Sequence, residues 1–462
     1  MFTKETYIKR REHLRETMQS GLLLFQGNDE SPMNYADNTY HFHQDSTFLY
    51  YFGINKPGLH AVMDIDAGVD YIFGDDLTID HIVWMGHQPT INELAAGTGI
   101  TKTGNLQQLS VMLINNKTRV QYLPPYRADH KINLLQWLGI SPGEAAQNAS
   151  IQMIRAIGEQ RIIKSKEEII EIEKAVNTTV EMHQAAMRFA RPGMTEAQVM
   201  AKVYEKAHAA GGNISFPIIA TINGQTLHNH YHGNTIKEGD LFLLDAGAET
   251  ATGYAGDMSS TFPVSRTFSS AQKEIYQLTL DAHNAAIDAC LPGTNYRDVH
   301  LKAARVITDG MKAMGFMKGN TDDAVEAGAH ALFFPCGTGH LMGLDVHDME
   351  NFGEQWVGYA GNPKSTQFGL KSLRLARPLQ KGYVITIEPG IYFIPQLIDL
   401  WKKDGKLTDF INYNKVEEYR DFGGIRNEED VLITETGNRI LGKPLAKSIE
   451  DVEKERILAF EV

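Results

Sequence analysis

The sequence is poor in cysteine, in basic side chains and in long apolar runs. Its 462 residues include two cysteines, Cys290 and Cys336, too few for a disulfide framework or a cysteine zinc site. The best early apolar run, Leu22-Leu23-Leu24-Phe25, has four residues, against the roughly 20 that a membrane span needs. The opening residues, Met1-Phe2-Thr3-Lys4 and then Lys9-Arg10-Arg11-Glu12, lack the apolar stretch of a secretory signal. Lysine and arginine number 44 against 57 acidic residues, a net charge of −13. That balance argues against phosphate-led nucleic-acid binding, which needs a basic footprint. These shortages predict a soluble, cytoplasmic protein with neither nucleic-acid nor membrane partners.

What is present suffices for a globular core: 42% of residues are hydrophobic and 22% charged. The length predicts two or three domains. Up to about residue 155 the chain shows short apolar stretches broken by turn signals, such as His60–Ile65, Asp70–Gly74 and the loop Ser141-Pro142-Gly143. A mixed α/β domain over 1–155 is the simple reading. Ser165 with Glu168 three residues on predicts a capped helix start. Ile169, Ile172, Val176 and Val180 follow at helical spacing. A second domain is therefore expected over 160–450.

Within it one pattern occurs twice. Gly239–Asp245 and Gly382–Glu388 each show a turn glycine, a β-prone run and a carboxylate six residues after the glycine. An apolar strand face ending in a carboxylate is costly unless something pairs with it. Two such strands suggest two related half-domains aiming carboxylates at one centre. Asp257 lies twelve residues after Asp245, across Gly247, Gly253 and Gly256, a spacing that fits a strand, a turn and a returning strand. Glu428 precedes another β-prone run, and His340 sits among Gly337, Gly339 and Gly343. Singly, a strand-end aspartate is more often a turn former, and a histidine beside glycines more often structural. Together, four carboxylates in one pocket would repel one another without a cation. Two divalent ions would cancel their charge. Oxygen ligands plus one imidazole suit Mn²⁺, Co²⁺ or Zn²⁺, manganese above all. Two ions about 3.5–4 Å apart can share a water and lower its pKa.

Asp245 and Asp257, the run Gly339–Asp348 with its Asp345-Val346-His347-Asp348, Thr386–Tyr392 and Gly424–Asp430 together resemble the prolidase and aminopeptidase P family of pita-bread dinuclear metallopeptidases. Phe42–Gly53 resembles that family's N-terminal domain, so the likeness covers nearly the whole chain. It implies an α/β (α+β) architecture: an N-terminal α/β domain, then a pita-bread catalytic domain with pseudo-twofold halves. It implies two metal ions held by Asp245, Asp257, His340, Glu388 and Glu428. Glu388 would also shuttle the proton of the bridging water, His347 would stabilise the tetrahedral intermediate, and Arg426 would hold the carboxylate network. The other active-site histidine is His228 by ungapped counting or His230 by matching a His-Tyr pair; His228 is preferred, with His230 facing substrate and His232 left outside. The implied reaction is attack of a metal-bridging hydroxide on an Xaa-Pro bond, releasing the N-terminal residue of a small peptide with proline second.

Arg374 matches the prolidase arginine that clamps the proline carboxylate, so an Xaa-Pro dipeptidase is favoured slightly over an aminopeptidase P. A surface role for Arg374 is the competing reading. Three departures stand out. The Asp245–Asp257 spacing is one residue longer than usual, Cys336 replaces a histidine, and Asn427 replaces an aliphatic residue with little effect expected. Metal-free pita-bread binding modules and creatinases are disfavoured by the five ligand-type residues, and methionine aminopeptidases by the large N-terminal domain. The resemblance also implies a homodimer or homotetramer.

Overall fold

The computed structural model describes residues 2–461. The chain forms two compact units. One runs up to Arg161 and takes in the later segment Met349–Val357; the other comprises Ile162–Asp348 and the chain from Gly358 onward. The chain thus passes between units more than once, where the sequence predicts a single boundary between about 155 and 165.

The first unit is built on a five-stranded mixed sheet in the order Lys102–Gly104, Val69–Phe73, His60–Asp64, Leu22–Gln26, Val120–Tyr122. The early apolar run is the strand Leu22–Gln26, antiparallel to His60–Asp64 and parallel to Val120–Tyr122. Leu22 to Phe25 are all buried, which explains a continuous apolar run where a half-exposed strand would alternate. The helix Lys4–Met18 seats a buried arginine: Arg11 donates to the carbonyls of Tyr51 and Thr98 and pairs with Asp70 at 2.9 Å.

The second unit repeats itself. Helices Lys166–Phe189 and Glu196–Ala209 precede a sheet in which Leu241–Ala246 pairs antiparallel with Met258–Pro263 and with Ile219–Thr221. Helices Ser270–Ala289 and Tyr296–Ala313 precede a sheet in which Glu429–Ile433 pairs antiparallel with Val384–Ile387 and Asn438–Ile440. Each helix pair is joined through Pro-Gly: Pro192-Gly193 with φ 91° and Pro292-Gly293 with φ 87°. Glycine takes that left-handed conformation without the Cβ penalty. The first helix starts as its sequence predicts. Ser165 and Glu168 form a reciprocal cap, with Ile172, Val176 and Val180 buried and Ile169 half-buried.

The two carboxylate-tipped strands end differently. Asp245 lies inside its strand, whereas the second strand stops at Ile387, one residue short of Glu388. Pro389 has no N–H to continue a ladder, and the Glu388 N–H turns instead to the Thr338 carbonyl at 2.7 Å. Among the described residues no helix is long and apolar enough to cross a membrane.

Candidate active site

Strand pairing sets the first two carboxylates. Asp245 stands opposite Ser259, and Asp257 immediately precedes the returning strand. Its N–H donates to Asp430 Oδ2 at 3.0 Å. Between them the chain makes a turn, where Thr250 N–H donates to the Tyr254 carbonyl and Gly253 N–H to the Thr250 carbonyl, each at 2.9 Å. The strand register continues on either side, Ala246 opposite Met258.

His340 is oriented from two sides. Its N–H donates to Thr386 Oγ1 at 3.0 Å, and Nδ1 lies 3.0 Å from the Leu341 carbonyl. A ring nitrogen facing a carbonyl carries the proton, so Nε2 keeps its lone pair. Nε2 sits 3.4 Å from Asp257 Oδ2 and 3.6 Å from Glu388 Oε1. Gly339 makes this approach possible, because a Cβ there would run into the Thr386 carbonyl and the Tyr296 hydroxyl. Gly339→Ala is expected to destabilise the protein by about 1–3 kcal/mol and to lower its metal affinity, read by thermal unfolding with and without Mn²⁺.

Asp257, His340 and Glu428 are buried and offer three ligand atoms within 4.8 Å of one another. Asp245 and Glu388 line the same cavity of about 210 Å³, with His228, His230, His347 and Arg374. Phe216, Pro217, Ile219 and Val346 supply apolar wall. Nine of the ten residues picked from the sequence thus share one cavity. The tenth, Arg426, lies behind it, 3% exposed. Its Nη2 meets Asp245 Oδ2 at 2.6 Å, Nε donates to Ser259 Oγ at 2.8 Å, and Nη1 donates to the Tyr392 hydroxyl at 3.0 Å. Both His228 and His230 line the cavity, so lining does not separate them.

The electrostatics call for a cation. Burial, then the neighbouring Asp245, raises the Asp257 carboxyl above its ordinary range. Burial likewise raises Glu388 against the opposing pull of His340, and raises Glu428 with the help of Asp257 and Glu388. Asp257 Oδ1 and Glu428 Oε1 are buried without a hydrogen-bond partner. Orphaned oxygens on crowded carboxyls are what divalent ions neutralise, so this donor set fits the expected ions. Burial, then the charge of Arg426, lowers His228, which keeps its imidazole neutral.

Sequence reasoning missed several supporting residues. Ser259 donates to Glu428 Oε2 at 2.8 Å while accepting from Arg426. Asp430 holds Asp257, and Tyr392 accepts from Arg426. A signal existed for two of them. Ser259 and Asp430 stand two residues after Asp257 and Glu428, the spacing of the strand period. Asn427, between Arg426 and Glu428 in the chain, is fully buried. Cys336 is absent from the cavity lining, and burial pushes its thiol up to about 12. His232 Nε2 lies 3.1 Å from the Ile218 carbonyl, outside the cavity.

The family model for metallopeptidase family M24 matches residues 171–435, and that for the aminopeptidase P N-terminal domain matches residues 7–122. The chain belongs to metallopeptidase family M24. Among its relatives, the Xaa-Pro dipeptidase of Homo sapiens is 29% identical, across 96% of this chain and 90% of that protein. The Xaa-Pro aminopeptidase of Escherichia coli K12 is 30% identical, across 98% and 97%. The structure of zinc-substituted E. coli aminopeptidase P in complex with product superposes with a TM-score of 0.82 at 28% identity, covering 99% of each chain. This M24 peptidase therefore has the expected architecture, an aminopeptidase P-type N-terminal domain followed by a pita-bread catalytic domain.

Proposed function

We propose that this M24 chain is a metal-dependent exopeptidase cleaving the bond between an N-terminal residue and a following proline, with the Xaa-Pro dipeptide as its preferred substrate. Arg374 carries the dipeptide reading, because it lines the same cavity as the five ligand candidates and His347. A guanidinium is a rigid fork matched to a carboxylate. A dipeptide presents its carboxylate one residue from the scissile bond, where a longer peptide presents a neutral amide. The second reading, an aminopeptidase P acting on longer peptides, is favoured by the full-length likeness to the E. coli enzyme.

Asp245, Asp257, His340, Glu388 and Glu428 would hold two divalent ions, manganese preferred and cobalt or zinc possible with these donors. Bound there, the ions supply a polarised carbonyl and a water acidic enough to attack at neutral pH. Glu388 accepts the proton of the attacking water and returns it to the leaving proline nitrogen. His228 and His347 donate to the carbonyl oxygen as it gains charge, and His230 lines the substrate's path. Arg426 holds Asp245 in place through its 2.6 Å ion pair. The carboxylates receive the free amine of the substrate, which restricts cleavage to the terminal residue.

Hydrolysis of an Xaa-Pro dipeptide and of the matching tripeptide, with Mn²⁺ and with chelator, tests this reading. Metal-dependent cleavage with the dipeptide preferred is expected. Faster tripeptide cleavage would favour the aminopeptidase, and no cleavage of either would overturn both. Arg374→Ala is expected to raise KM for the dipeptide by about 10- to 100-fold and to leave the tripeptide within about threefold.

The helix Ile79–Met85 supports the reading of a homodimer or homotetramer. It buries no residue, and Ile79, Val83, Trp84 and Met85 are exposed, Trp84 at 88%. Apolar faces of this kind are covered in assemblies. Trp84→Asp is expected to lower the mass measured by light scattering, and a monomeric wild type would remove the proposal.

A further inference from the structure

His347 is carried by a stretch with no helix or strand, Gly343 to Asp348, yet it must meet a reacting carbonyl. Its ring rests against His340, centroids 4.3 Å apart at 72°. The next residue, Asp348, donates its N–H to the Leu341 carbonyl at 2.9 Å, which folds the loop back onto the residue after His340. The Asp348 carboxylate then meets Lys164 Nζ at 2.7 Å, with both side chains 1% exposed.

Lys164 is itself fixed. It precedes Ser165, the capping residue of the helix Lys166–Phe189. Its N–H donates to the Gly382 carbonyl at 2.8 Å, at the root of the strand that leads to Glu388. Gly343 allows the pair to close, since a Cβ there would lie 2.7 Å from Asp348 Oδ2 and 2.8 Å from Lys164 Cε. A buried ion pair gives little net stability over apolar residues of the same volume. What it gives is direction. It ties the loop bearing His347 to the helix start and to the root of the strand that leads to Glu388.

We propose that the buried Lys164–Asp348 ion pair is the positioning device of His347. Lys164 is absent from the cavity lining and would act only through the loop. The inference rests on the proposed peptidase reading, in which His347 serves the reaction. The test is a double-mutant cycle in metal-reconstituted full-length protein, on an Xaa-Pro dipeptide, with bound metal measured by elemental analysis. A misplacement near 1 Å costs on the order of 100-fold in rate. Lys164→Met is therefore expected to lower kcat by about 10- to 100-fold, to hold KM within about threefold and to leave bound metal unchanged. In a His347→Ala background the same substitution is expected to change kcat less than about twofold, because the residue it positions is gone.

Effects that multiply in the double variant would show a general structural role and overturn the proposal. So would loss of metal by Lys164→Met, since the pair would then serve the ions. Should Lys164→Met fail to fold, the apolar pair Lys164→Met/Asp348→Leu carries the same cycle. Stable protein with low kcat supports the positioning role, and wild-type kcat from that pair overturns it. Wild-type protein inactive on Xaa-Pro peptides would overturn the peptidase reading and this inference together. An active wild type with an unaffected Lys164→Met would overturn the pair's role alone.

Discussion

Asp257→Asn is expected to lower kcat/KM by at least about a thousandfold, because the buried carboxylate nearest His340 would no longer hold an ion. The same change should stabilise the metal-free protein at alkaline pH. Burial and the neighbouring carboxylates raise Asp257, Glu388 and Glu428 above their ordinary range. A carboxyl raised in the fold contributes stability that is present at low pH and is lost as pH rises from about 4 through its folded value. Metal-free wild type should therefore unfold at a lower temperature at about pH 8 than at about pH 5.5. Divalent ions displace those protons, so metal-induced stabilisation should grow over the same interval. Asp257→Asn removes one member of the cluster. Its metal-free melting curve should depend less on pH, and Mn²⁺ should shift it little. Thermal scans with and without chelator at both pH values measure each effect. An Asn variant less stable than wild type when both are metal-free and alkaline would contradict the repulsion described above.

The reading from sequence reached this site through short-range patterns. Asp245 and Glu388 were legible because each ends a β-prone run after a turn glycine, a pattern set by local backbone chemistry. His340 was legible through its glycines, and the structure gives the cause at Gly339, where a side chain would strike Thr386 and Tyr296. The family resemblance drew these residues together with His228, His230, His347 and Arg374, and one cavity holds them. Contacts decided by long-range pairing stayed out of reach. Ser259 links Glu428 to Arg426 across sequence separations of 169 and 167 residues. Its spacing of two residues from Asp257 is legible, but nothing near Ser259 in the chain announces those two partners. The excursion Met349–Val357 was also invisible, because its membership of the first unit depends on distant partners. There Asn351 donates to the Pro124 carbonyl at 2.9 Å, 227 residues away. Asn427 was legible only in part. Strand alternation gave its direction, away from Arg426 and Glu428, but not what lies on that side, and the structure buries it completely.

Arg426→Met should give the largest loss of stability among single changes at this centre. The guanidinium is spread over three acceptors of different kinds: the Asp245 carboxylate, Ser259 Oγ and the Tyr392 hydroxyl. Ser259 in turn donates to Glu428, so one cation steadies two of the four carboxylates, one directly and one through a hydroxyl. Removing one partner of a buried ion pair costs about 3–5 kcal/mol, because the other charge is left uncompensated. For a catalytic unit of this size that corresponds to a melting temperature lower by about 5 °C or more. Divalent ions should recover part of the loss, since they would take over the compensation of Asp245. The recovery separates two roles. If Arg426 only balances charge, saturating Mn²⁺ should restore most of the stability and the activity. If it also orients Asp245 and Ser259 through its fork, stability should return while kcat stays low, and Arg426→Lys should behave like Arg426→Met in rate because a point charge cannot reproduce three directed N–H bonds. The second outcome is expected, since Nε, Nη1 and Nη2 each have their own acceptor.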